Sequence, residues 1–213
     1  MFVCEGIEVT FETSKQIQAG GSELQDRADF FWNGPNLILV LADGAGGLSG
    51  GAKAAEFVVE SVKKRINSLV VSSEQLCAFL TTLDHEMSSN GTLGETTCAI
   101  VILSEGRIIG ASIGDSGALI FSKDSVDDLT KGQIRKPLLG SGRALSTGFN
   151  RSHLDGILLI ASDGLLKYTS QEKIAATIET SNFNSAANKL IDLVRYQSGT
   201  LPDDISILLV RKI

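Results

Sequence analysis

The stretch LILVLADGAGGLSGGAKAAEFVVESV, Leu37 to Val62, decides how the rest of the chain is read. Leu37 to Ala42 is an unbroken apolar run, the pattern of a fully buried strand. It stops abruptly at Asp43, followed by Gly44, Ala45, Gly46 and Gly47, and a helical pattern begins near Gly50. A carboxylate at the end of a buried strand sits at the mouth of the core, where desolvation is costly unless something offsets its charge. The glycines let backbone groups approach a ligand closely. Asp43 is therefore the first candidate functional residue. A lone Asp-Gly pair after a strand is more often turn punctuation, so Asp43 needs partners elsewhere in the chain. Nucleotide-loop readings fail in register. Ala52 intervenes before Lys53 where a phosphate loop needs its lysine, and Ser49 stands where a dinucleotide fingerprint needs glycine.

Working outward, Asn33-Gly34-Pro35-Asn36 is a strong turn signal, so Phe30 to Trp32 and Leu37 to Ala42 are expected to pair as a hairpin. Phe2 to Phe11 reads as a strand, and Gln18 to Ser22 as a turn region. Apolar residues at Ala54, Ala55, Val58, Val59, Val62 and Ile66 predict a helix over Lys53 to Val71. A second helix is expected from Glu74 to Met87, capped by Ser72 or Ser73 and stopped by Asn90-Gly91. Three successive strands follow, over Thr97 to Leu103, Arg107 to Ile113 and Ala118 to Phe121. Lys123 to Leu154 is polar and irregular, too long for a plain connection, and reads as a surface flap or functional loop. Gly156 to Ala161 is another buried strand. Helices are expected over Gln171 to Ile178 and Ser185 to Tyr196, and Ile205 to Val210 closes the chain. Segregated β-rich and helical stretches favour an α+β fold, and the length of 213 residues favours a single domain over 1–213.

Nineteen basic against 25 acidic residues leave a net charge of −6, which argues against a nucleic-acid partner and suits a cation. No apolar run approaches the roughly 20 residues of a membrane span, and the start MFVCEGIEVTFET lacks the features of a secretory signal. Cys4, Cys77 and Cys98 form no CxxC pair and read as reduced thiols, so a cytoplasmic protein is expected. His85 and His153 have no partner suggesting a triad or metal fork, and Ser116 and Ser162 lack a GxSxG context.

The partners that Asp43 needs come from a recurrence. Apolar strands run out into Asp43, Asp115 and Asp163, and others begin directly after Asp26 and Asp203. In antiparallel neighbours the end of one strand and the start of the next fall on the same sheet edge. Gathered carboxylates repel unless protons or cations neutralise them. Oxygen-only ligands favour Mg²⁺ or Mn²⁺ over zinc or copper. Asp124, Asp127 and Asp128 read as solvated loop charges.

The blocks Gln25-Asp26, Asp43-Gly44-Ala45-Gly46-Gly47, Gly94-Glu95-Thr96-Thr97, Gly114-Asp115-Ser116, Ser162-Asp163-Gly164 and Asp203-Asp204-Ile205-Ser206 occur in an order that resembles the metal-dependent protein phosphatases of the phosphatase 2C type. The resemblance runs nearly the full chain. It implies a four-layer α-β-β-α sandwich: two antiparallel sheets flanked by helix pairs, with a two-metal centre, manganese or magnesium, at one end. It implies that Asp43 bridges both ions, that the Gly44 carbonyl binds one, and that Asp163 and Asp203 complete the second set. Asp26 would act through water, and Asp115 matches the position that helps hold a third, weaker ion. Two cations about 3.5–4 Å apart activate water and brace an in-line displacement at phosphorus, so no covalent nucleophile is needed.

The implied activity is hydrolysis of phosphoserine and phosphothreonine in a protein substrate, itself a kinase target, by a monomeric enzyme. Four positions depart from the family pattern. Gly21 stands where a phosphate-gripping arginine is usual, Asp204 where Asn is usual, Gly117 where Arg is usual, and Ala45 or Leu48 where a histidine often sits. Arg27 and Arg143 are the candidate substrate-binding residues, although alternation along a strand sends Arg27 to the face opposite Asp26. Arg135, Lys136 and Arg151 of the flap are further possible sources of the missing cation. Two alternatives stay open: a pseudophosphatase that binds without turnover, and a small-molecule phosphomonoesterase.

Overall fold

In the computed structural model the chain is described over residues 10–45, 50–66, 71–123 and 125–213. Most of the strand expected over Phe2 to Phe11, together with Cys4, Gly46, Gly47, Leu48 and Asp124, lies outside the described residues. In chain order the elements are β1 (Phe11–Gln18), β2 (Arg27–Asn33), β3 (Asn36–Ala42), α1 (Gly51–Arg65), α2 (Ser73–Ser88), β4 (Cys98–Ser104) and β5 (Arg107–Ile113). They continue as β6 (Gly117–Phe121), β7 (Val126–Asp128), β8 (Thr147–Arg151), β9 (Ile157–Ala161), α3 (Asp163–Leu166), α4 (Gln171–Thr180), α5 (Phe183–Asp192) and β10 (Ile205–Lys212).

β3 is apolar along its length because both of its faces are covered. Ile38, Val40 and Ala42 pack outward with Ala54, Val58 and Leu80 of the first helix pair. Leu37, Leu39 and Leu41 point inward and meet Ile160, Leu208 and Val210 of the other sheet. β9 and β10 repeat the alternation, with Leu159, Ala161, Ile207 and Leu209 packing outward against Ile174, Ala187 and Leu190. Two five-stranded antiparallel sheets result, ordered β1-β10-β9-β6-β7 and β2-β3-β4-β5-β8. They stack between two helix layers, the α-β-β-α sandwich expected from the sequence.

The hairpin pairs β2 with β3 through Trp32 and Leu37, as the turn signal required. Ser72 caps α2 by accepting the amide of Gln75. The first helix is described over Gly51–Arg65, and residues 67–70 of the stretch expected to Val71 lie outside the described residues; its last turn carries Lys63, Lys64 and Arg65, a basic end that suits the helix dipole. The flap is less irregular than expected. β7 extends one sheet by pairing with β6, and β8 extends the other by pairing with β5. Of β8 only Phe149 is buried, so this edge strand carries no run of core residues to announce it. No helix among the described residues is long and apolar enough to cross a membrane.

Candidate active site

Antiparallel pairing brings the strand-end aspartates to one rim. Asp43 follows β3, whose last residue Ala42 pairs with Arg27 directly after Asp26. Asp163 follows β9, whose last residue Ala161 pairs with Ile207 shortly after Asp203. Asp115 follows β5, held beside β4. Asp43, Asp115, Asp163, Asp203 and Asp204, with Glu23, line a cavity of about 510 Å³, joined by Gly21, Gln25, Gly44, Thr97 and Leu138. No Lys, Arg or His is among the described residues lining it. Asp26 lies fully buried at 0% exposure, against Asp43.

The electrostatics are those of carboxylates that cannot all stay charged unaided. Burial pushes the Asp43 carboxyl far above the ordinary range, and the charges of Asp26, Asp163 and Asp203 push it further. Burial raises Asp26 too, partly offset by the nearby hydroxyls of Ser162 and Ser206. Neither Asp26 oxygen has a hydrogen bond of acceptable geometry, so those hydroxyls ease its charge without satisfying it. Asp163 is raised by burial and by Asp115 and Asp203, with Lys167 as an opposing cation.

The supporting contacts are specific. The amide of Asp43 donates to Thr97 Oγ1 at 3.0 Å, and the Asp43 carbonyl accepts from Thr97 N and from Thr96 Oγ1, each at 2.8 Å. The Thr97 hydroxyl shares a hydrogen bond with Ser116 Oγ at 2.7 Å. On the other sheet, a Cβ added to Gly164 would collide with the Asp204 carbonyl, so only glycine lets α3 start this close to β10. Thr97 and Asp204 thus hold the rim in place; for Thr97 the sequence offered only its place within a motif.

The structure brings Asp26, Asp43, Gly44, Asp115, Asp163 and Asp203 together, but it places neither Arg27 nor Arg143 at the cavity. The Arg27 guanidinium folds back onto the carbonyls of Leu24 and Asp26 at 2.9 and 2.8 Å and lies 4.0 Å from Glu56, on the α1 side. Strand alternation is the cause. Arg143 is exposed, its backbone amide donating to Ser141 Oγ. Arg151 is engaged by both oxygens of Asp127, at 2.6 and 2.9 Å, across the edges of the two sheets. Arg135 lines a neighbouring cleft of about 240 Å³ that shares Asp115 with the acidic cavity.

The donor set suits a hard divalent cation. All its side-chain donors are oxygens, both Asp26 oxygens lack partners, and no basic side chain among the described lining residues neutralises the carboxylates. Among the described residues no three such side chains already close around one point, so the carboxylates form a rim rather than a finished coordination shell.

The fold matches solved bacterial phosphatases along almost its whole length. A point mutant of a bacterial serine phosphatase superposes with a TM-score of 0.83 at 22% identity, covering 96% of this chain and 99% of the other. The catalytic domain of the serine/threonine protein phosphatase PstP, solved in complex with 2 manganese ions, gives 0.80 at 20% identity, covering 96% and 99%. The serine/threonine phosphatase Stp1 from Staphylococcus aureus gives 0.77 at 19% identity, covering 95% and 94%. No curated protein is similar enough to register as a match. The family model described as Protein phosphatase 2C matches residues 15–136, more than half of the sequence, and this chain belongs to that family.

Proposed function

We propose that this protein is a divalent-metal-dependent phosphatase that hydrolyses phosphoserine and phosphothreonine in proteins, with Mn²⁺ or Mg²⁺ as the ion. The observation that carries the reading is half-buried Asp43, set against fully buried Asp26 and lining one cavity with further carboxylates that no described basic lining residue neutralises. Asp43, the Gly44 carbonyl, Asp163 and Asp203 would hold two cations, Asp26 would act through water, and Asp115 would help hold a third. When bound, such ions supply a lowered pKa for water and charge stabilisation at the phosphoryl group. The chain's own part is to hold the carboxylates in register. Thr96 and Thr97 fix the Asp43 backbone, and the Asp204 carboxylate anchors the segment before Asp26. Asp26, fully buried, sits against Asp43 behind the cavity lining.

The test is release of phosphate from p-nitrophenyl phosphate and from a synthetic phosphothreonine peptide, with and without Mn²⁺. Turnover should require the ion and collapse in Asp43→Asn and Asp163→Asn. Metal-independent turnover would refute the mechanism. Peptide binding without phosphate release would replace the enzyme by a binding module, and turnover of the small ester alone would move the substrate class to small molecules.

A further inference from the structure

Asp84 is buried at 2% exposure on the same side of α2 as Leu76, Leu80, Leu83 and Met87. A carboxylate on an apolar helix face is costly unless its oxygens are fully engaged. Here they are. Oδ1 accepts the amides of Gly140 at 2.7 Å and Gly142 at 3.0 Å, and Oδ2 accepts the amide of Ala144 at 2.9 Å. Gly140 and Gly142 have φ of 104° and 74°, which turns alternate amides toward one carboxylate.

Among the described residues, these are the hydrogen bonds that tie 140–144 to another element; the amide of Ser141 donates to the Leu138 carbonyl and that of Arg143 to Ser141 Oγ, both within the flap. One residue upstream, Leu139 exchanges backbone hydrogen bonds with Thr96 at 2.9 and 3.0 Å. Thr96 in turn donates its hydroxyl to the Asp43 carbonyl. Leu138 is part of the cavity wall. A continuous set of bonds therefore runs from α2, through the base of the flap, to the backbone of the central aspartate. Asp43 keeps its own bonds to Thr97, so its position does not depend on Asp84, whereas the flap base is held at two points, by Thr96 at Leu139 and by Asp84 over 140–144.

We propose that Asp84 is a positioning residue: it clamps the base of the flap, and so fixes the cavity wall against which a phosphorylated polypeptide is seated. The proposal rests on the phosphatase reading for its substrate. Three donors on two oxygens call for a carboxylate, because an asparagine at this position offers one acceptor and sets its NH₂ against a backbone N–H.

The test compares wild type, Asp84→Ala, Asp84→Asn and Gly142→Ala, the last disturbing the turn without removing the carboxylate. In folded Asp84→Ala, amide exchange at Gly140, Gly142 and Ala144 should rise about tenfold or more relative to the β3 and β4 amides. KM for the phosphothreonine peptide should rise about tenfold, while KM for p-nitrophenyl phosphate and the Mn²⁺ concentration for half-activation stay within about twofold. Asp84→Asn should fall between, and Gly142→Ala should reproduce the KM split. Unchanged exchange in the folded variants, equal rises for both substrates, or a shifted Mn²⁺ requirement would overturn the proposal. If wild type turns over neither substrate, the phosphatase reading falls, and the exchange comparison alone then upholds or overturns the clamp.

Discussion

The Asp204 carboxylate accepts the backbone amide of Gln25 at 2.6 Å across 179 positions of sequence. Its other oxygen accepts the amide of Gly20 at 2.8 Å. One side chain thus fastens both ends of the segment that leads into Asp26, beside the cavity it helps line. A carboxylate serves two N–H donors with its two oxygens, where an amide would set one NH₂ group against a donor. Asp204→Ala should lower stability by about 1–3 kcal/mol and phosphatase turnover by about tenfold or more. Asp204→Asn should be milder in both. Thermal unfolding and steady-state kinetics on the same preparations check this.

Gly21 lies exposed on the cavity lining, and a Cβ added there meets nothing within 4 Å. Gly21→Arg should therefore fold normally and place a guanidinium over an otherwise acidic recess. A charge-assisted, bidentate contact to phosphate is worth about 1.5–3 kcal/mol. KM for p-nitrophenyl phosphate should fall about tenfold, with kcat changed less. An unchanged KM would show that another cation already grips the phosphate.

Asp43 and Asp26 are both raised above their ordinary value of 3.8, chiefly by burial. A carboxyl raised in this way keeps its proton in the folded state and loses it on unfolding. Its contribution therefore favours folding at low pH and is lost as pH rises from the ordinary value through the raised one. In the presence of a chelator, the Tm of the wild-type protein should fall as pH rises from about 4, through the Asp26 value of about 6 and on toward the Asp43 value of about 10. Asp43→Asn should flatten that dependence and unfold about 5 °C higher near pH 8, since each tenfold change in proton affinity is worth about 1.4 kcal/mol and each kcal/mol moves Tm by about 2–4 °C. Mn²⁺ should stabilise the wild type far more than the variant. Calorimetry with and without the ion checks both statements.

Thr97→Val keeps the side-chain shape but removes the acceptor of the Asp43 amide and the hydrogen bond to Ser116. Stability should fall by about 1–3 kcal/mol, and kcat by about tenfold. Thr97→Ser, which keeps the hydroxyl, should restore most of the turnover. Equal kcat in all three proteins would remove Thr97 from the support of the site.

Much of the architecture was legible because burial on two faces leaves a plain mark. β3, β4, β9 and β10 read as apolar runs since each is covered by a helix layer on one side and a sheet on the other. The edge strands β7 and β8 left no such mark; their ladders are completed by β6 and β5, and no local pattern reveals that pairing. Asp84 did leave a trace, a carboxylate four residues after Leu80 on the buried helix face, but its meaning depends on Gly140, Gly142 and Ala144 arriving from 56 to 60 positions away.

Sequence by itself determined which aspartates stand at strand ends, the hairpin of β2 and β3, and the alternation that makes the layers. Alternation also turned Arg27 away from Asp26, but tertiary structure alone decided that its guanidinium meets the Leu24 carbonyl and Glu56, that Asp204 fastens the approach to Asp26, and that Asp84 holds the flap. The division has a physical cause. Strand ends and buried faces are set by solvent exclusion along a local run of residues. The destination of a guanidinium or a carboxylate is set by donors and acceptors that only the folded chain brings within reach.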